Sequence, residues 1–331
     1  MKADRIEIIL VTGAAGFIGS HLCEQLLREG INVIGIDSFN SYYDVEIKKN
    51  NVKLIEATAK DNGKNFQMLT GDIRDTQFLN TVFSKYKIDA IVSLAANAGV
   101  RPSIEEPLEY ISVNLDGLTK LLECAKNYGI KKFIFASSSS VYGNNRKTPF
   151  SEEDPVDNPI SPYAATKKAG ELICYTYHSL YDINIACLRY FTVYGPRQRP
   201  DLAINKFTRL IFNGSKIEMY GDGSTARDYT YVSDVVSGTI AAINYLSRDE
   251  SIYDIFNLGG SNPIKLIDLI DLIAKTLNKP VEIITKPMQP GDVEVTFSDF
   301  SRAQEKLNYY PQVTIEKGIE NFVRWYVKNS D

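Results

Sequence analysis

This sequence predicts an α/β fold: a doubly wound parallel sheet of the Rossmann kind, with a smaller, interleaved α/β domain. Three observations carry that expectation. The apolar run at residues 8–10 leads into Val11-Thr12-Gly13-Ala14-Ala15-Gly16-Phe17-Ile18-Gly19-Ser20-His21, and Leu22, Leu26 and Leu27 follow at helical spacing, so three glycines occupy a strand-to-helix turn. Apolar runs of strand length then alternate with helical patterns as far as residue 136, the mark of a parallel sheet built from crossover units. A second apolar run, Asn32–Asp37, ends in an acid.

Composition sets outer limits on function. With 331 residues, 44% hydrophobic and 24% charged, the chain can bury a large core in one domain or in two interlocked ones. A net charge of -4 without a block of Lys or Arg offers no electrostatic footprint for nucleic acid or an anionic membrane, which leaves a small molecule as the expected partner. Cys23, Cys124, Cys174 and Cys187 are scattered without a C-x-x-C pair and read as buried, reduced thiols. His21 and His178 belong to no metal-binding pattern, so no metal site is expected. There is neither a signal-peptide apolar segment nor an 18-residue apolar span, and a cytoplasmic location is expected.

Taken in order, the elements suggest a dinucleotide site. Gly13 permits the tight turn, Gly16 lets a pyrophosphate approach the free N–H groups that open the helix, and Gly19 allows that helix to lie close to the strand. Asp37 stands 18 positions after Gly19, near the spacing of about 20 at which an acid takes a ribose diol, and its charge selects NAD over NADP. Residues 40–64 form a polar insertion with no legible conformation. A third strand at 66–69 precedes Gly71-Asp72-Ile73, where Asp72 either reaches an adenine amino group or caps a helix from about residue 75. The fourth strand, 88–93, runs into Leu94-Ala95-Ala96, small enough for a flat cofactor to lie against. Pro107 opens a long amphipathic helix through Leu115, Leu118, Leu121 and Leu122 that ends near Asn127, before Gly129.

The fifth strand, 132–136, runs into Ser137-Ser138-Ser139-Ser140, and after three prolines a helix begins at Ser161. Tyr163 and Lys167 stand four apart on it and share a face. A phenol of pKa about 10 is a poor base at neutral pH, but a nearby ammonium and a cationic nicotinamide both favour phenolate. Tyr163 is thus the expected proton acceptor, Lys167 its tuning partner, and Ser138 a hydroxyl able to bond the same oxygen. Beyond residue 196 the alternation breaks: a helix through Phe207 and Leu210, a strand at 216–220, a return to the sheet over 228–260, then three helical patterns and a strand at 281–284. The expected division is 1–196 with 228–260 as the NAD-binding domain and 197–227 with 261–331 as the second, the ligands meeting in the cleft between them.

With these residues in hand, the chain resembles the extended short-chain dehydrogenase/reductase family, and within it the UDP-sugar 4-epimerases. The likeness spans residues 6–327 and is carried by T-G-A-A-G-F-I-G-S-H at 12–21, S-P-Y-A-A-T-K at 161–167, R-Y-F-T-V-Y-G-P at 189–196 and R-D-Y-T-Y-V-S-D at 227–234. It implies NAD held permanently, Tyr163 as base, Lys167 as its partner and Ser138 at the sugar O4. The implied cofactor contacts add Phe17, Ile18, Ile73, Asn114, Ser137, Tyr190 and Val193 to Gly13, Gly16, Gly19, Asp37, Asp72, Leu94, Ala95 and Ala96. Implied sugar-nucleotide contacts are Arg101, Ser138, Ser139, Ser140, Thr192, Arg199, Tyr220, Arg227 on the pyrophosphate, Asp292 near the uridine ribose, and Thr296, whose small side chain leaves room in the sugar pocket.

Two departures from the family pattern are Ser93, where many members have His, and Gln289, where some have a phosphate-binding arginine, a contact for which Arg199 is the expected substitute. The expected activity is 4-epimerisation of a UDP-hexose through a 4-keto sugar. Segments 98–101, 192–195 and 288–292 look most like the uronate epimerases, so UDP-glucuronate is favoured over UDP-N-acetylglucosamine. The alternatives are a 4,6-dehydratase or UDP-glucuronate decarboxylase, which carry acids where Ser139 and Ser140 stand, and a non-catalytic NAD-binding regulator, which has no use for the proton-transfer set. Helices near 107–127 and 161–181 resemble those that pair in family homodimers.

Overall fold

A computed structural model of the chain describes residues 6–330 apart from 249, 261 and 288–292. Strand β1 (Ile8–Thr12) enters the glycine turn and emerges as helix α1 (Phe17–Arg28). Then come β2 (Asn32–Asp37), α2 (Val45–Asp61), β3 (Phe66–Thr70), α3 (Thr76–Lys85) and β4 (Ala90–Ser93). Two short helices, α4 (Val100–Glu105) and α5 (Pro107–Ile111), pass through a π-helical turn (Ser112–Gly117) into α6 (Leu118–Asn127). The chain continues with β5 (Lys132–Ser138), α7 (Pro162–Tyr181) and β6 (Asn184–Tyr190). After them stand β7 (Thr192–Tyr194), α8 (Ala203–Phe212), β8 (Ile217–Tyr220), β9 (Ala226–Tyr231), α9 (Val232–Tyr245) and β10 (Tyr253–Leu258). The last elements are β11 (Pro263–Lys265), α10 (Leu266–Leu277), β12 (Ile283–Lys286), α11 (Ser301–Leu307) and α12 (Ile315–Lys328).

Seven strands lie in the order β3-β2-β1-β4-β5-β6-β10, and every neighbouring pair is parallel. The strand order reverses between β1 and β4, which opens a crevice outside the carboxyl ends of the strands. Side chains of β1 alternate between faces: Ile9 and Val11 join a core with Leu22, Leu26 and Val235, while Leu10 joins one with Leu79, Leu121 and Phe133. Helices therefore cover the sheet on both sides, as its continuous apolar strands require. A third core, around Tyr194, Phe207, Met219, Leu269, Ile319 and Phe322, unites β7, β8, α8, α10 and α12 under two small sheets, β11-β9-β7 and β12-β8. Late in the chain α11 returns to the larger layer, where Ala303 and Leu307 pack with Val235 and Phe256.

Three local features differ from the expected ones. The polar insertion contains α2, N-capped by Asp44, whose carboxylate accepts the Glu46 N–H at 2.9 Å. The helix opened by Pro107 is interrupted by the π turn that carries Asn114. The strand expected at 281–284 is displaced to Ile283–Lys286, where it pairs with β8.

Candidate active site

The glycine turn is built by close approach. Gly13 has φ +71°, and its N–H and that of Ala14 donate to Ile36 O at 2.8 and 3.2 Å, which fixes the turn to β2. A Cβ on Gly19 would lie 2.1 Å from Gly13 O, so helix and loop touch at backbone distance. Gly16, the N-cap residue of α1, supplies no side-chain cap, and the first-turn N–H groups face the crevice as an anion site. The cradle fits a pyrophosphate.

Asp37 closes the next corner. Its Oδ2 accepts the Ala15 N–H at 3.2 Å and its Oδ1 the Phe39 N–H at 2.9 Å, so the acid braces the glycine loop as well as facing the cavity. Burial raises its pKa, while Lys48 and the two N–H donors oppose that shift. Lys48, from α2, lies 3.8 Å from Asp37 Oδ1 and donates to Asn40 at 2.6 and 3.0 Å; Asn51 Nδ2 donates to Ala15 O at 2.9 Å. The insertion thus backs the acid and the glycine turn. Of the two readings of Asp72, helix capping fails: Asp75 caps α3, accepting from Gln77 and Phe78, while Asp72 grips Arg74 at 2.7–3.1 Å, a bond that lowers its pKa.

A cavity of about 610 Å³ runs from this loop to the ends of β5 and β7. Its wall holds Gly13, Gly16, Phe17, Ile18, Gly19, Asp37, Asp72, Ile73, Leu94, Ala95 and Ala96 at one end. At the other end are Ser137, Ser138, Tyr163, Lys167, Tyr190, Thr192, Val193 and Arg199. Asn40, Tyr42, Tyr43, Lys48 and Arg74 line it too, and the sequence reading missed them. Asn114 stands behind the wall: its amide holds Asn97 N and O at 2.8 and 3.0 Å and reaches Thr166 Oγ1 of α7 at 3.0 Å. The π turn aims it there.

At the end of the cavity formed by β5 and β7, Ser138, Tyr163 and Lys167 come together. Burial raises the Tyr163 phenol, and a hydrogen bond with Ser138 and the positive charge of Arg199 pull it back. Burial lowers the Lys167 ammonium to about 8. Its Nζ donates to Ala136 O at 2.7 Å and sits 5.9 Å from the Tyr163 ring centre. Arg199 is held by Asp201 at 2.7 and 3.0 Å and covered by the Tyr42 ring at 5.0 Å. Ser139 and Ser140 form the turn beyond the wall, the latter bonding Ser138 Oγ at 3.1 Å through its N–H and its hydroxyl.

The other expected sugar-nucleotide residues lie outside this cavity wall. Arg101 sits 5.6 Å over the Tyr220 ring, Arg227 donates to Ala226 O and Glu294 O, and Thr296 Oγ1 accepts the Asp228 N–H at 3.1 Å. Asp292 and Gln289 lie outside the described residues. His21 is a structural group: Arg197 donates to its Nδ1 at 2.7 Å, its Nε2 contacts Pro196 O at 2.9 Å, and burial lowers its pKa to about 3. Among the described residues no cluster of three or more His, Cys, Asp or Glu is placed to hold a metal, and no helix is long and apolar enough to cross a membrane.

Comparison with known proteins agrees with this geometry. The sequence profile of the family described as GDP-mannose 4,6 dehydratase matches residues 10–322. The chain is 44% identical to a UDP-glucuronate 4-epimerase of Thermodesulfobacterium geofontis, over 97% of this chain and 96% of that protein. It superposes on the crystal structure of UDP-glucuronic acid 4-epimerase from Bacillus cereus, in complex with UDP-glucuronic acid and NAD, with a TM-score of 0.88 at 37% identity, covering 97% of this chain and 99% of that one. A UDP-N-acetylglucosamine 4-epimerase from Methanobrevibacter ruminantium, solved with UDP-N-acetylmuramic acid, gives 0.86 at 30% identity, covering 98% and 99%. A glycine cradle backed by Asp37, a serine-ended β5 against a Tyr-Lys helix, and relatives matched end to end place the chain in the extended short-chain dehydrogenase/reductase family, among its NAD-dependent UDP-sugar 4-epimerases.

Proposed function

We propose that this 4-epimerase of UDP-hexoses interconverts UDP-glucuronate and UDP-galacturonate, with Tyr163 as the acid-base group. The observation that carries the chemistry is the convergence of Ser138, Tyr163 and Lys167 at one end of a cavity whose other end is the glycine cradle. Tyr163 takes the proton from the sugar O4 as C4 is oxidised and returns it when C4 is reduced on its other face, while Ser138 holds the same oxygen. Arg199 supplies positive charge, and Ser138 a hydrogen bond, that offset the burial of the phenol, as a base acting near neutral pH needs. NAD, when bound, would supply the reversible hydride chemistry at C4, so that no net oxidation would result. The residues that hold it are Gly13, Gly16 and Gly19 at the pyrophosphate, Asp37 with Lys48 at the adenosine ribose, and Lys167 at the nicotinamide end.

Arg199 favours the uronate. It lies in the same wall as Thr192 and near enough to Tyr163 to act on its phenol. A guanidinium fixed by Asp201 and Tyr42 suits a carboxylate better than a neutral acetamide, since charge-assisted bonds are about twice as strong as neutral ones. Two hydroxyls, not carboxylates, follow Ser138, which argues against dehydration. We expect kcat/KM for UDP-glucuronate to exceed those for UDP-N-acetylglucosamine and UDP-glucose by about tenfold or more, a ratio that reports transition-state binding. NMR should show products inverted only at C4. A preference for the acetamido sugar removes the uronate assignment; a 4-keto-6-deoxy product or a pentose removes epimerisation itself.

We further propose a homodimer acting in the cytoplasm. Leu108 on α5 and Leu172 and Leu180 on α7 are 80%, 56% and 71% exposed on adjoining helices, and Ile111 and Tyr175 extend that apolar surface. The four cysteines are free, as a reducing compartment would keep them. Light scattering should give about twice the 37.1 kDa chain mass, and Leu108→Glu with Leu172→Glu should halve it. A parent chain that scatters as 37.1 kDa across a dilution series refutes the dimer.

A further inference from the structure

Arg189 and Glu171 are the most buried ion pair among the described residues, each side chain 1% exposed, and the chemistry above makes no use of them. Glu171 follows Tyr163 by eight residues and Lys167 by four on α7, so the three share one face of the helix. That face meets three successive residues of β5. Lys167 Nζ donates to Ala136 O at 2.7 Å, Ser137 Oγ donates to Glu171 Oε1 at 2.7 Å, and Ser138 lies close enough to the Tyr163 phenol to lower its pKa. Arg189, which stands opposite Ser137 in the β5–β6 register, closes the bracket with two bonds of 2.9 Å to the two oxygens of Glu171. Lys168 adds a second, looser cation at 3.6 Å.

The bracket is anchored on its far side as well. Arg189 Nη1 donates to Tyr142 Oη at 2.9 Å, and Tyr142 donates to Asn257 Oδ1 of β10 at 2.7 Å. Stability alone does not account for such a pair. Desolvating two charges costs about as much as their attraction returns, and apolar pairs of similar volume are often as stable or more so. What a bidentate, fully enclosed pair adds is a single permitted position of the helix along the strand.

We propose that Glu171 and Arg189 are positioning residues: they lock the register of α7 against β5 and so set Tyr163 and Lys167 relative to Ser138. This rests on the proton-transfer role assigned to Tyr163, and a Tyr163→Phe enzyme measured in parallel tests that role separately. The experiment uses NAD-loaded enzyme with UDP-glucuronate and the double replacement Glu171→Met with Arg189→Met, which removes both charges together. A helix free to shift by an ångström is expected to lower kcat by about tenfold to a hundredfold. KM, bound NAD and the thermal midpoint should stay close to the parent, with KM within about twofold. Restoring the cation alone as Arg189→Lys beside native Glu171 should recover part of kcat.

A double variant with NAD bound and parental kcat overturns the proposal. So does a loss shared equally by kcat, KM, NAD content and thermal midpoint, because that pattern belongs to a scaffold. Should the double variant not fold, Ser137→Ala cuts the hydroxyl link between Glu171 and β5; Ser137 stands in the cavity wall, but its Oγ is turned to Glu171. It is expected to lower kcat several-fold at constant KM and NAD content, and a parental kcat in that variant overturns the proposal equally.

Discussion

Tyr163→Phe is expected to lower kcat by about 10³-fold, within the range that a positioned acid-base group contributes, while NAD stays bound. The substitution removes one oxygen and keeps the ring. That ring sits edge-on to Tyr110, with centroids 6.2 Å apart, and neither this contact nor the helix around it depends on the hydroxyl. The glycine cradle and Asp37 follow β1 and β2, across β4 from the strand that carries Ser138, so cofactor retention should be unaffected. Ser138 and Lys167 remain, but neither replaces the lost group: the serine hydroxyl is far less acidic, and Lys167 already donates to Ala136 O. Turnover of UDP-glucuronate followed by NMR, beside the nucleotide released on denaturation, separates chemistry from binding. An unimpaired rate in a variant that still carries NAD would remove Tyr163 from the mechanism.

The parts of this site that could be read from sequence are those where one residue type has one physical reason to be there. Three glycines on a strand-to-helix turn, an acid at the end of the next strand, and a Tyr-Lys pair one helical turn apart all occupy the wall that the sheet topology assigns them. Residues 40–64 were opaque for an equally definite reason. The buried stripe of α2 runs Lys48, Asn51, Ile55, Ala59, at helical spacing, yet its first two members are polar because they serve Asp37, Asn40 and Ala15 O. A search for apolar periodicity sees only the last two. The spacing of an Asp44 cap from that stripe was the remaining signal. Arg74 was hidden differently, since it acts through Asp72 two residues away and through Glu109 of a distant helix, at 3.0 Å, which only the fold brings near. The Glu171–Arg189 pair belongs to the same class: two charges 18 residues apart that only the fold brings together.

Gly19→Ala is expected to cost the protein its cofactor. The added Cβ would stand 2.1 Å from Gly13 O, 2.9 Å from Gly13 C and 3.0 Å from Ala14 Cα, all backbone or turn atoms with no rotamer to absorb the clash. Gly13 cannot retreat freely: its N–H is tied to Ile36 O, its φ is +71°, and Ala95 N lies 3.0 Å from where its own Cβ would be. The N-terminus of α1 must therefore move away from the loop, which separates the helix N–H groups from the turn that together cradle a pyrophosphate. Overpacking of this kind costs about 1–3 kcal/mol of stability, tolerable for a chain with three sizeable cores, so the variant should fold and lose NAD. Gly16→Ala provides the contrast. Its Cβ meets only Gly13 O, at 3.1 Å, so the loop needs a small adjustment and the penalty falls on the ligand that approaches Gly16 from outside. Nucleotide content after purification, with thermal midpoints measured with and without added NAD, distinguishes the two: a raised midpoint on adding NAD is expected for Gly16→Ala and absent for Gly19→Ala. A Gly19→Ala protein purified with a full complement of NAD would show that helix and loop can separate without spoiling the cradle.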